Sequence, residues 1–255
     1  SILENKYYNF KGLNLSLETI DGLVKHNGPV RDISKFDSIL GKNFFRNKIN
    51  YKKNASLEAQ LASISDDIAY NSHDLEDGLR ANLYKIEDLK NIPILSEIVN
   101  KHKRFIKTKG TELMIRQVIR DIINEMVSDV IANTKKNIKE QKIKNIRNIY
   151  NHKNLLANFS EEMNYFDITI KAFLKENMYF SKNVLKKTNM GKKIIKFLFL
   201  KIKKNPLKFL KKNNFQKNNF ERNICDFIAG MTDRYAINLY NSLKWTYLRY
   251  ILKRL

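Results

Sequence analysis

Residues 55–80, ASLEAQLASISDDIAYNSHDLEDGLR, hold the longest uninterrupted helical pattern in the chain. At about 100° per residue, Leu57, Leu61, Ile64, Ile68, Leu75 and Leu79 fall on one stripe, so this segment must bury one side in a core. Opposite them lie Asp66, Tyr70, His73, Asp74 and Asp77. Three carboxylates, a phenol and an imidazole on one face suit a divalent cation and a polar substrate. An amphipathic helix that turns its polar face to water gives the same pattern, and periodicity alone does not separate the two.

Few helix breakers interrupt the rest. With 8 Gly and 3 Pro in 255 residues, the sequence predicts long helices and an all-α fold. Ser16 is placed to cap a short helix through Ile20, Leu23 and Val24, which stops at Gly28-Pro29 with His26 in its last turn. Residues 30–54 are irregular, with Phe36, Phe44 and Phe45 as expected anchors. Residues 86–95 form a link in which Pro93 is expected in the first turn of a helix from Ile94 to Phe105. Beyond Lys109-Gly110, Thr111 is expected to cap a helix with Leu113, Ile115, Val118, Ile119, Ile122, Ile123, Met126 and Val130 on its apolar face, to about Ala132. Residues 134–153 read as a loop or peripheral helix. Ser160 with Glu161-Glu162 begins another helix, packed by Tyr165, Phe166, Ile168, Ile170, Phe173 and Leu174.

Charge divides the chain unevenly. Residues 1–100 carry 13 Lys/Arg against 14 Asp/Glu, whereas residues 101–255 carry 35 against 12, which accounts for the net +22. Two regions are therefore expected, 1–100 with the polar helix face and 101–255 as a basic helical region. Such a field attracts polyanions. The most extreme stretch, residues 182–223, interleaves lysine with Phe and Leu, a pattern that can track single-stranded nucleic acid. The favoured reading is a helix at about 191–204 burying Ile194, Ile195, Phe197, Leu198 and Phe199, with lysines reaching solvent and Pro206 at its end. A final helix is expected from Arg222 to Leu252, with an ion pair between Asp233 and Arg234. Cys225, the single cysteine, sits in apolar NICDFIAG and is expected to be buried and inert; it excludes an internal disulfide and any cysteine metal cluster. No signal peptide or membrane-spanning run is evident, so a reducing cytoplasm and no membrane partner are expected. No phosphate-binding glycine loop, nucleophile elbow or zinc-ligand spacing occurs.

The segment LEAQLASISDDIAYNSHDLEDGLRANL closely resembles the bacterial deoxyguanosine triphosphate triphosphohydrolase-like proteins, a branch of the HD-domain phosphohydrolases. GLNLSLETIDGLVKHNGPV (12–30) and DFIAGMTDRYA (226–236) resemble that family's flanking segments in the same order. The resemblance implies an HD-type helical bundle and hydrolysis of deoxynucleoside triphosphates to deoxynucleoside and inorganic triphosphate. It also implies a Mn²⁺ or Mg²⁺ cofactor, and self-association, commonly as a hexamer. The family holds its metal with an H…HD…D set whose last aspartate opens a D-x-x-x-Y-x-x-x-D pattern. Here that pattern is Asp66, Tyr70, Asp74, so Asp66 is implied as a metal ligand and Tyr70 and Asp74 as substrate contacts to the deoxyribose.

One part of the family pattern does not match. The HD pair of the family precedes this helix, whereas His73-Asp74 lies within it, and before Asp66 the only histidine is His26. His73 is thus expected as a partner to a nearby carboxylate or at the substrate rim, not as a ligand. Asp67, turned about 100° from Asp66 on the helix, is expected as a carboxylate behind the site or at the surface. The chain is expected to be a C-terminal portion, with the remaining ligands and most phosphate contacts on an N-terminal portion. A regulatory relative that binds nucleotide without cleaving it, and a basic nucleic-acid-binding module, are the alternatives.

Overall fold

In a computed structural model of the chain, residues 8–10, 12–36, 48–103, 110–210 and 220–252 are described. The described residues form nine α-helices and no strand, as the scarcity of Gly and Pro predicts. The chain divides into two compact units, Ser1–Met178 and Tyr179–Leu255, so the charge boundary near residue 100 runs through the interior of the first. Phe44, Phe45, Phe105 and Lys109 lie outside the described residues.

The first unit is built around α2 (Leu57–Arg80), which contacts α1 (Leu17–Val24), α4 (Thr111–Glu140) and α6 (Glu161–Leu174). Serines start three of these helices. Ser16, Ser56 and Ser160 accept hydrogen bonds from the backbone N–H of Thr19, Ala59 and Met163, satisfying amides that have no partner within the helix. The core is made by Ile68, Leu75 and Leu79 of α2 with Val118, Ile122, Met126 and Val130 of α4. Leu95, Ile98 and Val99 of α3 (Leu95–Lys103) join them, as do Phe166, Ile170 and Leu174 of α6.

Pro93 is not in the first turn of α3; it precedes Ile94, whose φ of 63° is the left-handed kink from which the helix departs. Thr111 is not the cap of α4, because Gly110 (φ 82°) occupies that position without a side-chain bond. Leu113 is exposed and Met114 takes the core position, one residue further round the helix. On α6 the expected packing residues Tyr165 and Ile168 are exposed, and Met163 is buried in their stead.

α4 also continues past Ala132 to Glu140. Asparagines hold the extra turns. Asn133 donates to the Asn158 side chain at 2.7 Å and Asn137 to the Leu156 carbonyl at 2.9 Å, which ties the helix to the strand-free segment before α6. After a turn, α5 (Ile146–Asn151) completes this region, which is helical at both ends and not a loop throughout.

The second unit packs α7 (Lys182–Lys204) against α8 (Phe220–Ala229) and α9 (Asp233–Leu252). Ile194, Leu198, Ile202, Leu210 and Ile224 are buried there, with Phe197 edge-on to Tyr240 at 4.9 Å. Ile195, expected inside, is 54% exposed because it lies about 100° round the helix from Ile194. The single final helix is in fact two. The first ends at Ala229, and Thr232 accepts from the Tyr235 N–H to start the second, with Asp233 in its first turn. Cys225 is exposed, one position round from fully buried Ile224. The neighbours Asp233 and Arg234 do not pair among the described residues; Arg222 pairs with Asp226 at 2.8 Å, one turn apart. No described helix is long and apolar enough to cross a membrane.

Candidate functional site on α2

The inner side of α2 is locked by polar groups that interrupt its apolar stripe. Gln60 donates to the Ala55 carbonyl and accepts from the N–H groups of Leu156 and Ala157 at 2.8 and 3.2 Å. Asn71 donates to Asp167 of α6 at 2.8 Å. Asp167 is only 5% exposed and is neutralised by Lys171 at 2.8 Å, which also reaches Asp67 at 3.6 Å. Burial works against the Lys171 charge, but Asp167 and Asp67 hold its pKa above the usual lysine value. Asp67 is therefore an exposed carboxylate in an interhelical pair, consistent with its expected place outside any ligand set. None of these partners was identified from sequence. The available signal was polarity at stripe positions: Gln60 and Asn71 stand where the helical period demands apolar residues, and a buried amide there needs partners.

Near its C-terminal end α2 is pinned by Tyr84, whose hydroxyl donates to the Leu75 carbonyl at 3.1 Å and whose ring meets Phe173 edge-on at 4.8 Å. Burial, with Asp74 and then Asp77 nearby, pushes the Tyr84 phenol well above its ordinary value, so it remains a donor.

With one side fixed, the other faces outward. Asp66, Tyr70, His73 and Asp77 are exposed along one strip, Tyr70 at 57%. Asp74 is half-buried, because eight residues of helix rotate it about 80° from Asp66 towards the packed side. Four hollows of the first unit, lined among others by Asp21, Gly22, Asp121 and Gln60, include none of Asp66, Tyr70 and Asp74. His73 is exposed, and among the described residues no group of three or more His, Cys, Asp or Glu side chains could hold a metal ion. The residues present thus do not fit a metal on their own, since a catalytic divalent cation needs several N/O ligands. His26 is exposed just after α1, where its carbonyl accepts from Ser63 of α2 at 2.9 Å.

A second polar cluster stands between α3 and α4. Asp121 accepts from His102 at 2.8 Å, Lys101 at 3.0 Å and Gln117 at 3.1 Å. Burial opposes ionisation, but these donors, His102 first, hold the Asp121 carboxyl down to about 2. A carboxyl lowered on folding stabilises the fold above its unfolded pKa, and that contribution is lost as pH falls through about 2. Asp121→Asn is therefore expected to lower stability at neutral pH and to flatten the fall in stability between about pH 4 and pH 2, measured by urea unfolding across that range.

Comparison with known proteins agrees with this architecture. A phosphohydrolase-associated domain matches residues 157–242. A deoxyguanosinetriphosphate triphosphohydrolase-like protein of Pelagibacter ubique is 49% identical over 93% of the chain. Proteins of the same description from Bartonella tribocorum and Rickettsia typhi are 35% and 34% identical over 94% and 95% of it. The chain spans 64%, 62% and 64% of the lengths of these three relatives. Identity at this level along nearly the whole chain, with an all-helical fold, shows that the chain belongs to the deoxyguanosinetriphosphate triphosphohydrolase-like family.

Proposed function

We propose that this chain contributes one wall of a deoxynucleoside triphosphate triphosphohydrolase site and is catalytically incomplete by itself. The observation that carries this reading is the outer strip of α2. Asp66 and Tyr70 are uncovered while the opposite side of the helix is fixed by Asn71, Gln60 and Tyr84. A rigid helix with a free polar strip is what a site needs if its other wall comes from elsewhere. The relatives' printed names supply the substrate class, and likeness to them supports a purine deoxynucleoside triphosphate.

In the proposed reaction a water oxygen bonds to the α-phosphorus and the bond from that phosphorus to the 5′-oxygen breaks, giving deoxynucleoside and inorganic triphosphate. Tyr70 packs against the sugar where a ribose 2′-hydroxyl would project, and Asp74 accepts from the 3′-hydroxyl. Asp66 offers one carboxylate to a Mn²⁺ or Mg²⁺ site whose remaining ligands, the H…HD set, lie outside these residues. Assembly with a portion bearing those ligands, and into a homo-oligomer such as a hexamer, belongs to the same proposal.

Steric exclusion makes a direct test. In a protein extended to the length of its relatives, Tyr70→Ala is expected to lower the dGTP-to-GTP ratio of kcat/KM by about tenfold to a hundredfold. Tyr70 is exposed, so the circular dichroism spectrum should not change. An unaltered ratio would remove Tyr70 from the sugar pocket.

The lack of a metal-holding cluster among the described residues also favours a second reading, a regulatory relative that binds nucleotide and leaves it intact. In that case the extended protein binds dGTP and releases no triphosphate. The Lys-rich α7 needs no nucleic acid to account for its pattern, because Ile194, Leu198 and Ile202 bury its apolar side and Lys203 pairs with Glu221 at 2.7 Å. A basic module that binds single-stranded nucleic acid through its outer lysines is the alternative to this proposal.

A further inference from the structure

A different part of the first unit holds a pocket that the strip on α2 does not use. Its volume is about 590 Å³, and it opens between α1, residues 48–53 and α5. Such a volume suits a small phosphorylated metabolite. The floor is a buried ion pair. Lys25, 3% exposed, lies 2.6 Å from Asp21 and donates to the Asn54 carbonyl at 3.2 Å, with its ammonium 5.5 Å from the centre of the Tyr150 ring. Asp21 is 7% exposed and its other oxygen, Oδ2, has no hydrogen-bond partner among the described residues. A carboxylate oxygen buried without a donor is costly, and Asp21 is among the residues lining the pocket, so a ligand donor that reaches this buried oxygen would relieve it.

The rim has the opposite character. Lys53 and Arg147 are exposed, line the same pocket and form no ion pair with a described residue; the exposed Glu18 lines it beside them. A guanidinium and an ammonium group lining one pocket are suited to a phosphate. Burial, with Asp21, Glu18 and Glu58 nearby, pushes the Tyr150 phenol up, leaving it a neutral donor on the wall. The pocket thus offers cations outside and an unsatisfied acceptor inside.

We infer that this pocket binds a phosphorylated sugar, free or within a nucleotide, with the phosphate on Lys53 and Arg147 and a sugar hydroxyl donating to Asp21 Oδ2. The inference does not use Asp66, Tyr70 or Asp74, so it stands or falls independently of the hydrolase reading. Inorganic phosphate would satisfy the rim alone, whereas the hydroxyl is needed to satisfy the floor.

The test is isothermal titration of the 255-residue chain with inorganic phosphate, ribose 5-phosphate and 2′-deoxyadenosine 5′-phosphate at fixed low salt. One saturable site is expected, with a sugar phosphate bound about tenfold more tightly than inorganic phosphate. The double variant Lys53→Gln/Arg147→Gln should weaken sugar phosphate binding by about a hundredfold. Its sites are exposed, so folding should be retained. Lys192→Gln/Lys193→Gln on α7 removes the same charge and should leave binding unaltered. Tighter binding of the deoxynucleotide than of ribose 5-phosphate assigns the pocket to nucleotides, and equal binding assigns it to the sugar phosphate moiety they share. Equal weakening by both double variants would reduce the effect to diffuse basic charge and overturn the inference. So would inorganic phosphate binding as tightly as either sugar phosphate, or no binding at millimolar ligand by chain that is folded.

Discussion

Replacing Asp66 by alanine in a protein of the relatives' full length is expected to lower metal-dependent hydrolysis of dGTP by at least about a thousandfold. The physical ground is the ligand count. A catalytic cation is held by a few N/O groups with one position open, and loss of an anionic ligand removes both affinity and the charge that offsets the cation. Asp66 is exposed on α2, so the loss should leave secondary structure and unfolding midpoint unchanged. Asp67→Ala is the informative neighbour. Its carboxylate is engaged 3.6 Å from Lys171, and its loss should cost little activity. The pair distinguishes a ligand from general negative charge on the helix.

The largest effect on stability is expected from Gly78→Ala. Alanine ordinarily favours a helix over glycine by about 1 kcal/mol. Here a β-carbon would overlap the Tyr84 hydroxyl oxygen and Cζ of its ring. The ring cannot yield cheaply, because it is 6% exposed, packs on Phe173 and donates to the Leu75 carbonyl. Displacing it breaks that bond and overpacks the core, so a net loss of about 2–3 kcal/mol is expected in urea unfolding. Tyr84→Ala in the same chain should recover part of the clash energy, a non-additivity that a merely weakened helix would not show. A more stable Gly78→Ala protein would contradict the packing described.

The helices most legible in the sequence are those whose start and stripe agree. Ser16, Ser160 and the leucine-isoleucine stripe of α2 predict their helices because a capping hydroxyl and an apolar period are local chemistry. α4 runs further than its apolar face because Asn133 and Asn137 find partners at residues 156–158, contacts that no local pattern reveals. The break before α9 was written in GMTD, a small residue followed by a capping threonine and a first-turn aspartate, and the apolar residues on both sides concealed it. Cys225 lies outside because apolar composition does not fix an angular position, and Ile224 takes the inward one.

The site divides in the same way. Helical spacing brings Asp66 and Tyr70 to one strip, as read from sequence, and turns Asp74 part-way inward. The buried clasp of Asn71, Asp167 and Lys171 depends on residues nearly a hundred positions apart, beyond the reach of periodicity. That clasp presents the strip by fixing the other side of the same helix.

The most direct measurement is release of inorganic triphosphate from dGTP with Mn²⁺ or Mg²⁺, by the 255-residue chain and by a protein of the relatives' full length, each with and without Asp66→Ala. The account predicts triphosphate only from the longer protein, and only when Asp66 is retained. Turnover by the 255 residues alone, or by the longer protein after Asp66→Ala, would contradict it.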